Sequence, residues 1–168
     1  MKFLKVIIPI GVAVAALAIF LYLKMTDHTA EFARALYMGD HARVEEMLQA
    51  HPSLANSRNL EAFWTSRLKQ RIPASGWTPM HVAADMGDKE MIRLLVKHHA
   101  KVDARDNRGL TPLLWTAFGG KQEAAAELLS NGADVNARGP DGRTTLDLAK
   151  LSLDNDLIRL LRERGAKE

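Results

Sequence analysis

The chain has 168 residues, of which 47% are hydrophobic and 26% are charged, and its formal net charge is +3. This length allows one domain plus an appendage, with a hydrophobic core that needs no metal or disulfide to stabilise it. The chain has no cysteine, which excludes a disulfide framework, cysteine-ligated zinc, iron–sulfur clusters and thiol catalysis.

The first predicted element is an uncharged, apolar run at residues 6–23, with lysines on both sides of it. A helix of 18 residues spans roughly 27 Å, close to the ~30 Å hydrocarbon core of a bilayer. We therefore predict a signal anchor in residues 1–26, with transmembrane residues 6–23 as the contact with the membrane. The positive-inside rule places the N-terminus in the cytoplasm and the remainder in the periplasm or another extracytoplasmic space.

Two alternatives remain for this segment. Ala16-Leu17-Ala18 fits the small-x-small pattern of a signal-peptidase site, so the protein could be exported with its signal peptide cleaved. The segment could also be a buried helix of a soluble protein, but such helices are rarely apolar on every face.

The net charge belongs entirely to this first segment. Residues 1–26 contain Lys2, Lys5 and Lys24 and no acidic residue, whereas residues 27–168 contain 20 basic and 20 acidic side chains. A neutral remainder has no electrostatic footprint for nucleic acid, and we expect no nucleic-acid partner.

The remainder carries a repeat of 33 residues. The motif GWTPMH at 76–81 recurs as GLTPLL at 109–114 and as GRTTLD at 142–147. Likewise, AKVDA at 100–104 recurs as ADVNA at 133–137. A fixed period of this length indicates a stack of identical supersecondary units, each of which buries its apolar face against its neighbours.

With TPLLWTA and ELLSNGADVNA in its third repeat, the sequence resembles the ankyrin repeat family. The resemblance implies an all-α repeat solenoid, each repeat being a β-turn finger followed by two antiparallel helices, here placed after the transmembrane helix. We expect an ankyrin-repeat domain at residues 27–168. Its four repeats are predicted at about 30–60, 76–108, 109–141 and 142–168, with an insertion at about 61–75.

Local signals agree with this arrangement. Thr78 and Thr111 suit the N-cap position, and the prolines after them suit the first helical turn. Gly132 and Gly165 suit the position after a helix that needs a positive φ. By the resemblance, His81 forms a structural tie with Thr78, and this histidine is replaced by Leu114 and Asp147 in the next two repeats.

No catalytic pattern is present in the sequence. It contains no glycine-rich phosphate loop, no HExxH and no Ser-His-Asp order, and its six histidines lack ligand spacing. We therefore predict a protein that is not an enzyme and has no cofactor and no metal.

The insertion carries an apolar stripe. Leu60, Trp64, Leu68 and Ile72 recur every four residues between basic side chains, which predicts a short amphipathic helix. The stripe either packs back on the first two repeats or contacts a partner or the membrane surface.

The concave face that the resemblance implies is the second candidate site. The last residues of the inner helices form an apolar row, whose members are Tyr37, Met38, Met86, Phe118 and Leu151. Finger residues form a rim beside it. The full set of candidate partner-binding residues is Tyr37, Met38, Trp64, Leu68, Trp77, Asp85, Met86, Arg105, Arg108, Leu110, Phe118, Arg143 and Leu151. Trp77 could equally pack on the neighbouring finger, and we predict that Trp115 packs.

These observations favour a membrane-tethered protein–protein interaction module that binds a partner protein through its concave face and fingers. This plan resembles bacterial single-anchor ankyrin proteins of the periplasm, which hold or protect a partner protein. The alternative is an accessory or immunity protein at the membrane surface that uses the amphipathic insertion at 60–72.

Overall fold

The computed structural model describes residues 28–58, 60 and 76–167. Residues 28–38 are helical and form α1. A 3₁₀ helix at Pro52–Asn56 follows α2. The remaining helices are α2 (His41–Ala50), α3 (Pro79–Met86), α4 (Lys89–Lys97), α5 (Pro112–Thr116), α6 (Gln122–Ser130), α7 (Thr145–Leu151) and α8 (Asn155–Glu163).

The helices in these ranges form consecutive antiparallel pairs that stack side by side. The inner helices α3, α5 and α7 pack on one another in that order, and the outer helices α2, α4, α6 and α8 form a second row behind them. Ion pairs connect successive outer helices, such as Lys97 with Glu45 at 2.6 Å and Arg93 with Glu127 at 2.7 Å. The expected all-helical repeat stack is confirmed.

The periodicity of each outer helix explains why it packs. In α4, Met91, Ile92 and Leu95 are buried on one face, whereas Arg93 and Lys97 are exposed on the other. Full burial of each large apolar side chain contributes about 1.5–3 kcal/mol. Small alanines on the inner helices let neighbouring backbones approach, and those that are fully buried include Ala83, Ala84 and Ala149.

The helix ends follow the predicted signals. Thr78, Thr111 and Thr144 are the N-caps of α3, α5 and α7, and prolines begin α3 and α5. Gly132 and Gly165, which follow the outer helices, have φ angles of 86° and 87°, and His99 takes the same left-handed conformation with φ 61°. The predictions for Thr78, Thr111, Gly132 and Gly165 are confirmed.

Two fingers are described, and each closes with a β-turn. In the third repeat, Asp106 accepts from Gly109 N–H at 2.9 Å and donates its own N–H to Leu110 at 3.0 Å. In the fourth repeat, Gly139 makes the equivalent pair of bonds with Gly142 and Arg143.

Every helix in the described ranges is too short or too polar to cross a bilayer. For example, the 10 residues of α2 span about 15 Å, half of a hydrocarbon core. This finding contradicts the expectation of a single-pass membrane protein with an extracytoplasmic repeat domain. Residues 1–26, which carried that expectation and its cleaved-signal alternative, lie outside the described residues.

Candidate functional site

The apolar row predicted from the sequence lies at the surface. Among the described residues, the large apolar side chains that are exposed are Met38 (73%), Met86 (38%), Phe118 (60%), Leu151 (65%) and Leu153 (80%). Four of these five belong to the predicted row. Its remaining member, Tyr37, is half-buried and packs against the core.

The row forms because each inner helix ends at the same edge of the stack. Met86 and Leu151 are the last residues of α3 and α7, and Phe118 follows the end of α5 by two residues. Since these helices stack in parallel, their C-terminal ends present side chains to one common face. We call this face, together with the finger tips, the inner face. Asp85 is exposed on it next to Met86.

Arg105 ties the third finger to the fourth, and two further arginines bind finger carbonyls. Arg105 Nη1 donates to the carbonyl oxygens of Gly109 at 2.6 Å and Arg138 at 2.8 Å. Arg138 Nη1 donates to the Gly142 carbonyl at 2.7 Å, and Arg58 Nη2 donates to the Arg105 carbonyl at 3.1 Å. Arg105, which the sequence suggested as a partner contact, therefore also has a structural function.

Arg108 and Arg143 lie on the rim of the inner face. The Arg108 guanidinium stacks over the Trp115 ring, 4.6 Å from its centroid. Arg143 forms an exposed ion pair with Asp141 at 3.5 Å. Neither interaction buries the guanidinium, so both cations remain accessible to a binding partner.

Asp106 organises the third finger from beneath. Its buried carboxylate accepts hydrogen bonds from the backbone N–H groups of Arg108 and Leu110, both at 2.9 Å, and from Trp115 Nε1 at 3.1 Å. The sequence analysis did not identify this residue. Its signal was an aspartate at the first position of a four-residue turn that ends at Gly109, which suits side-chain capping of a loop.

Trp77 is a core residue, with 1% of its surface exposed. Its ring stacks against His81 and meets Trp115 edge-on with centroids 4.8 Å apart. Of the two alternatives for Trp77, the structure favours packing. Trp115 also packs, as predicted. Leu110 is mostly buried as well, with 8% of its surface exposed.

His81 ties the second repeat to the third. Its Nδ1 accepts from the Thr78 hydroxyl at 2.9 Å and from the Thr78 backbone N–H at 3.3 Å, and its Nε2 donates to the Leu110 carbonyl at 3.0 Å. Burial lowers the pKa of His81, so the ring stays neutral at physiological pH. The predicted structural tie is confirmed.

The replacements of this histidine behave differently from one another. Asp147 Oδ2 accepts from the Thr144 N–H at 2.8 Å and its hydroxyl at 2.9 Å, which reproduces the bonds within the repeat. These hydrogen bonds from Thr144 lower the pKa of Asp147. Leu114 offers no polar atom, so α5 has no such side-chain tie to the fourth finger.

A groove of about 170 Å³ lies at the junction where this tie is missing. Its walls come from the third finger, α5, the fourth finger and α7, and its lining includes the exposed Phe118. The lining residues are Arg108, Leu110, Leu114, Phe118, Gly139, Pro140, Asp141, Arg143 and Leu148. Gly139, Pro140, Asp141 and Leu148 were not among the predicted site residues.

Two predicted site residues, Trp64 and Leu68, lie outside the described residues, as does Ile72. Of the predicted stripe in the insertion, only Leu60 is described, and it is buried in the core. Over the described ranges, no group of three or more His, Asp or Glu side chains is arranged to hold a metal ion.

Comparison with known proteins identifies the repeat. The family model "Ankyrin repeats (3 copies)" matches residues 32–139. The chain is 35% identical over 130 residues to mouse ankyrin repeat and SAM domain-containing protein 6, covering 76% of this chain and 13% of that protein. It is 38% identical over 108 residues to a putative ankyrin repeat-containing protein of Treponema pallidum, covering 64% and 35%.

A relative of comparable size is human protein phosphatase 1 regulatory subunit 27, which is 39% identical over 124 residues, covering 74% of this chain and 75% of the subunit. By contrast, the chain spans only about an eighth of the mouse SAM-domain protein. The family match extends over more than half of the chain and agrees with the stacked helix pairs and their fingers. The chain belongs to the ankyrin repeat family, whose repeats are protein–protein interaction modules.

Proposed function

We propose that this protein binds a partner protein through the inner face and performs no catalysis itself. The observation that carries the proposal is the position of the exposed large apolar side chains. Among the described residues, these side chains lie at the last positions of α1, α3 and α7, or two residues after the end of α5 and of α7. Contiguous exposed apolar side chains mark interaction sites on soluble domains.

The chemistry of the row suits a protein surface. Met38 and Met86 are flexible and polarizable, and such side chains adapt to the shape of a partner. Phe118 supplies a large aromatic contact beside the accessible guanidinium of Arg108. Aromatic and arginine side chains dominate binding energy at protein interfaces, whereas the surrounding polar rim excludes water.

In-cell cross-linking of the intact protein, followed by mass spectrometry, tests the proposal. The variant combining Met86→Glu with Phe118→Glu should lose its cross-linked partners, because two carboxylates would be desolvated in an apolar interface. Gln49→Glu combined with Ala50→Glu is the matched control, since both positions are exposed on α2 and the added charge is equal. An unchanged set of partners in the inner-face variant, with an unchanged thermal transition, would refute the proposal.

A protein phosphatase is a candidate partner. The similarity to human protein phosphatase 1 regulatory subunit 27 extends over about three quarters of both chains. Titration of the purified chain into the catalytic subunit of protein phosphatase 1 should give saturable binding that the inner-face variant loses. No binding by the wild-type chain would exclude this partner and leave the inner face to another one.

A further inference from the structure

The groove between the third and fourth repeats differs from the junction one repeat earlier. Positions separated by 33 residues are equivalent, so Leu110, Leu114 and Leu148 in the groove correspond to Trp77, His81 and Trp115. In the earlier junction, these three rings pack together, with 4.8 Å between the two tryptophan centroids. In the later junction, three leucines line an open groove.

The fourth finger also lacks a side chain that the third finger has. Gly139 stands where Asp106 supplies its buried carboxylate. A Cβ atom on Gly139 would lie 3.2 Å from Leu110 Cδ2, so even the first atom of a side chain would intrude on the groove wall. The groove therefore occupies space that aromatic rings and a carboxylate fill in the preceding repeat.

We propose that this groove receives one aromatic side chain of the partner protein, together with a neighbouring carboxylate. The proposal rests on the binding function proposed above and specifies the chemistry that the inner face recognises. A groove of about 170 Å³ is close to the roughly 150 Å³ of an apolar cavity that binds benzene, so it fits a single ring.

The charges on the rim favour an anion beside that ring. Arg108 and Arg143 contribute two guanidinium groups, and Asp141 contributes one exposed carboxylate. The Asp106 carboxylate lies 4.0 Å from Arg108 Nε, but it is fully buried and accepts hydrogen bonds from two backbone N–H groups and an indole, so the exposed part of that guanidinium stays open to solvent. The accessible rim therefore has a net positive charge, and a guanidinium binds a carboxylate through two parallel hydrogen bonds.

Small probes test the groove without knowledge of the partner. Indole-3-acetate carries both a ring and a carboxylate, tryptophol keeps the ring alone, and cyclohexylacetate keeps the carboxylate beside a non-aromatic ring. Each is titrated into the ¹⁵N-labelled full chain, and backbone amide shifts are followed at Gly139, Asp141 and Arg143. We expect saturable shifts with indole-3-acetate at about ten-fold lower concentration than with tryptophol, as loss of one charge-assisted bond implies. Cyclohexylacetate should also need a higher concentration, because it lacks the aromatic contact.

Two variants that fill the groove provide the matched controls. Gly139→Asp combined with Leu148→Trp installs the residues of the third repeat and should abolish the shifts. Gly139→Ala adds only one carbon atom and serves as the second variant if the double variant does not fold. It should weaken binding of the probe. Arg143→Gln should weaken indole-3-acetate by about ten-fold and leave tryptophol unchanged.

Absence of saturable shifts at these amides, or equal binding by the filled variants, would overturn the proposal. Equal affinity for indole-3-acetate and cyclohexylacetate would also overturn it, because the groove would then not select an aromatic ring. The probes involve no partner, so failure here leaves the proposed function intact. Conversely, if the probes bind saturably but the inner-face variant keeps its cross-linked partners, the proposed function is refuted while the proposed specificity of the groove stands.

Discussion

His81 Nε2 donates a hydrogen bond to the Leu110 carbonyl across 3.0 Å and so joins the inner helix of one repeat to the finger of the next. Because Nδ1 accepts from the Thr78 backbone N–H, the ring proton must lie on Nε2. Both ring nitrogens are therefore satisfied only in the neutral Nε2–H form. The fold thus depends on one tautomer of one buried imidazole at this junction.

Replacing His81 by leucine should destabilise the protein by about 1–3 kcal/mol, because the buried Thr78 N–H loses its acceptor and the Leu110 carbonyl loses one of its two donors, keeping only the Asp106 N–H. Leucine is sterically compatible, since Leu114 stands at the equivalent position of the next repeat. Urea unfolding followed by circular dichroism measures the change. The exposed His51 is the control, and His51→Leu should change stability by less than about 0.5 kcal/mol. Equal losses in the two variants would contradict the assignment.

The same histidine should make stability depend on pH. Burial lowers the pKa of His81 in the folded state below its ordinary value of about 6.5. The unfolded chain therefore binds a proton that the folded chain resists, and stability is fully present above pH 6.5 and falls as the pH decreases below it. Urea midpoints between pH 7.5 and pH 5 should fall more steeply for the wild type than for His81→Leu. Parallel curves would show that another group causes the dependence.

Much of the fold could be predicted because local signals and repeat spacing agree. Thr-Pro dipeptides fix where α3 and α5 begin, and a glycine after each of the last two outer helices marks where the helix ends. The apolar row was also predictable, because the stack brings the same position of each repeat to one edge. These inferences depend on spacing within the chain, which the sequence contains.

Interactions between the fingers could not be predicted in the same way. Arg105 is a charged finger residue, which is why the sequence suggested it as a partner contact. Its hydrogen bonds to backbone carbonyls depend on the distance between two fingers. The groove at Gly139 arises from what neighbouring side chains leave empty, and no single motif encodes such a space. Trp77 is a comparable case, since an exposed or a buried tryptophan fits the same motif.

Leu153 provides a test of backbone strain. It has φ 56°, at the position where the other three repeats place Gly39, Gly87 and Gly120 with φ angles of 66°, 76° and 60°. A left-handed conformation costs a non-glycine residue about 1–2 kcal/mol, and the exposed leucine side chain recovers little of it by packing. Leu153→Gly should therefore stabilise the protein by about 0.5–1 kcal/mol, after allowance for the added freedom of the unfolded chain.

Thermal unfolding measures this gain. Leu151→Ala is the control, because it shortens another exposed apolar side chain at a residue without a positive φ. The control should leave the transition within about 1–2 °C of the wild type. A lower transition temperature for Leu153→Gly would show that the leucine side chain stabilises the fourth repeat.

Asp147 should stabilise the fourth repeat as a substitute for the missing histidine. It caps α7 reciprocally with Thr144, accepting from the Thr144 N–H at 2.8 Å while its own N–H donates to the Thr144 hydroxyl at 3.2 Å. Asp147→Ala should therefore cost about 1 kcal/mol in urea unfolding at pH 7. The bonds from Thr144 lower the folded pKa of Asp147, so this contribution is present above about pH 4 and is lost as the pH falls through the folded value.

The variant and the wild type should therefore converge in stability at strongly acidic pH. Asp156→Ala is the matched control, because Asp156 lies in the first turn of α8 and forms an exposed ion pair with Arg159 at 3.0 Å. Exposed pairs of this kind contribute less than about 1 kcal/mol. If Asp147→Ala is as mild as the control at pH 7, or if its deficit persists unchanged in acid, the carboxylate does not cap the helix as its geometry indicates.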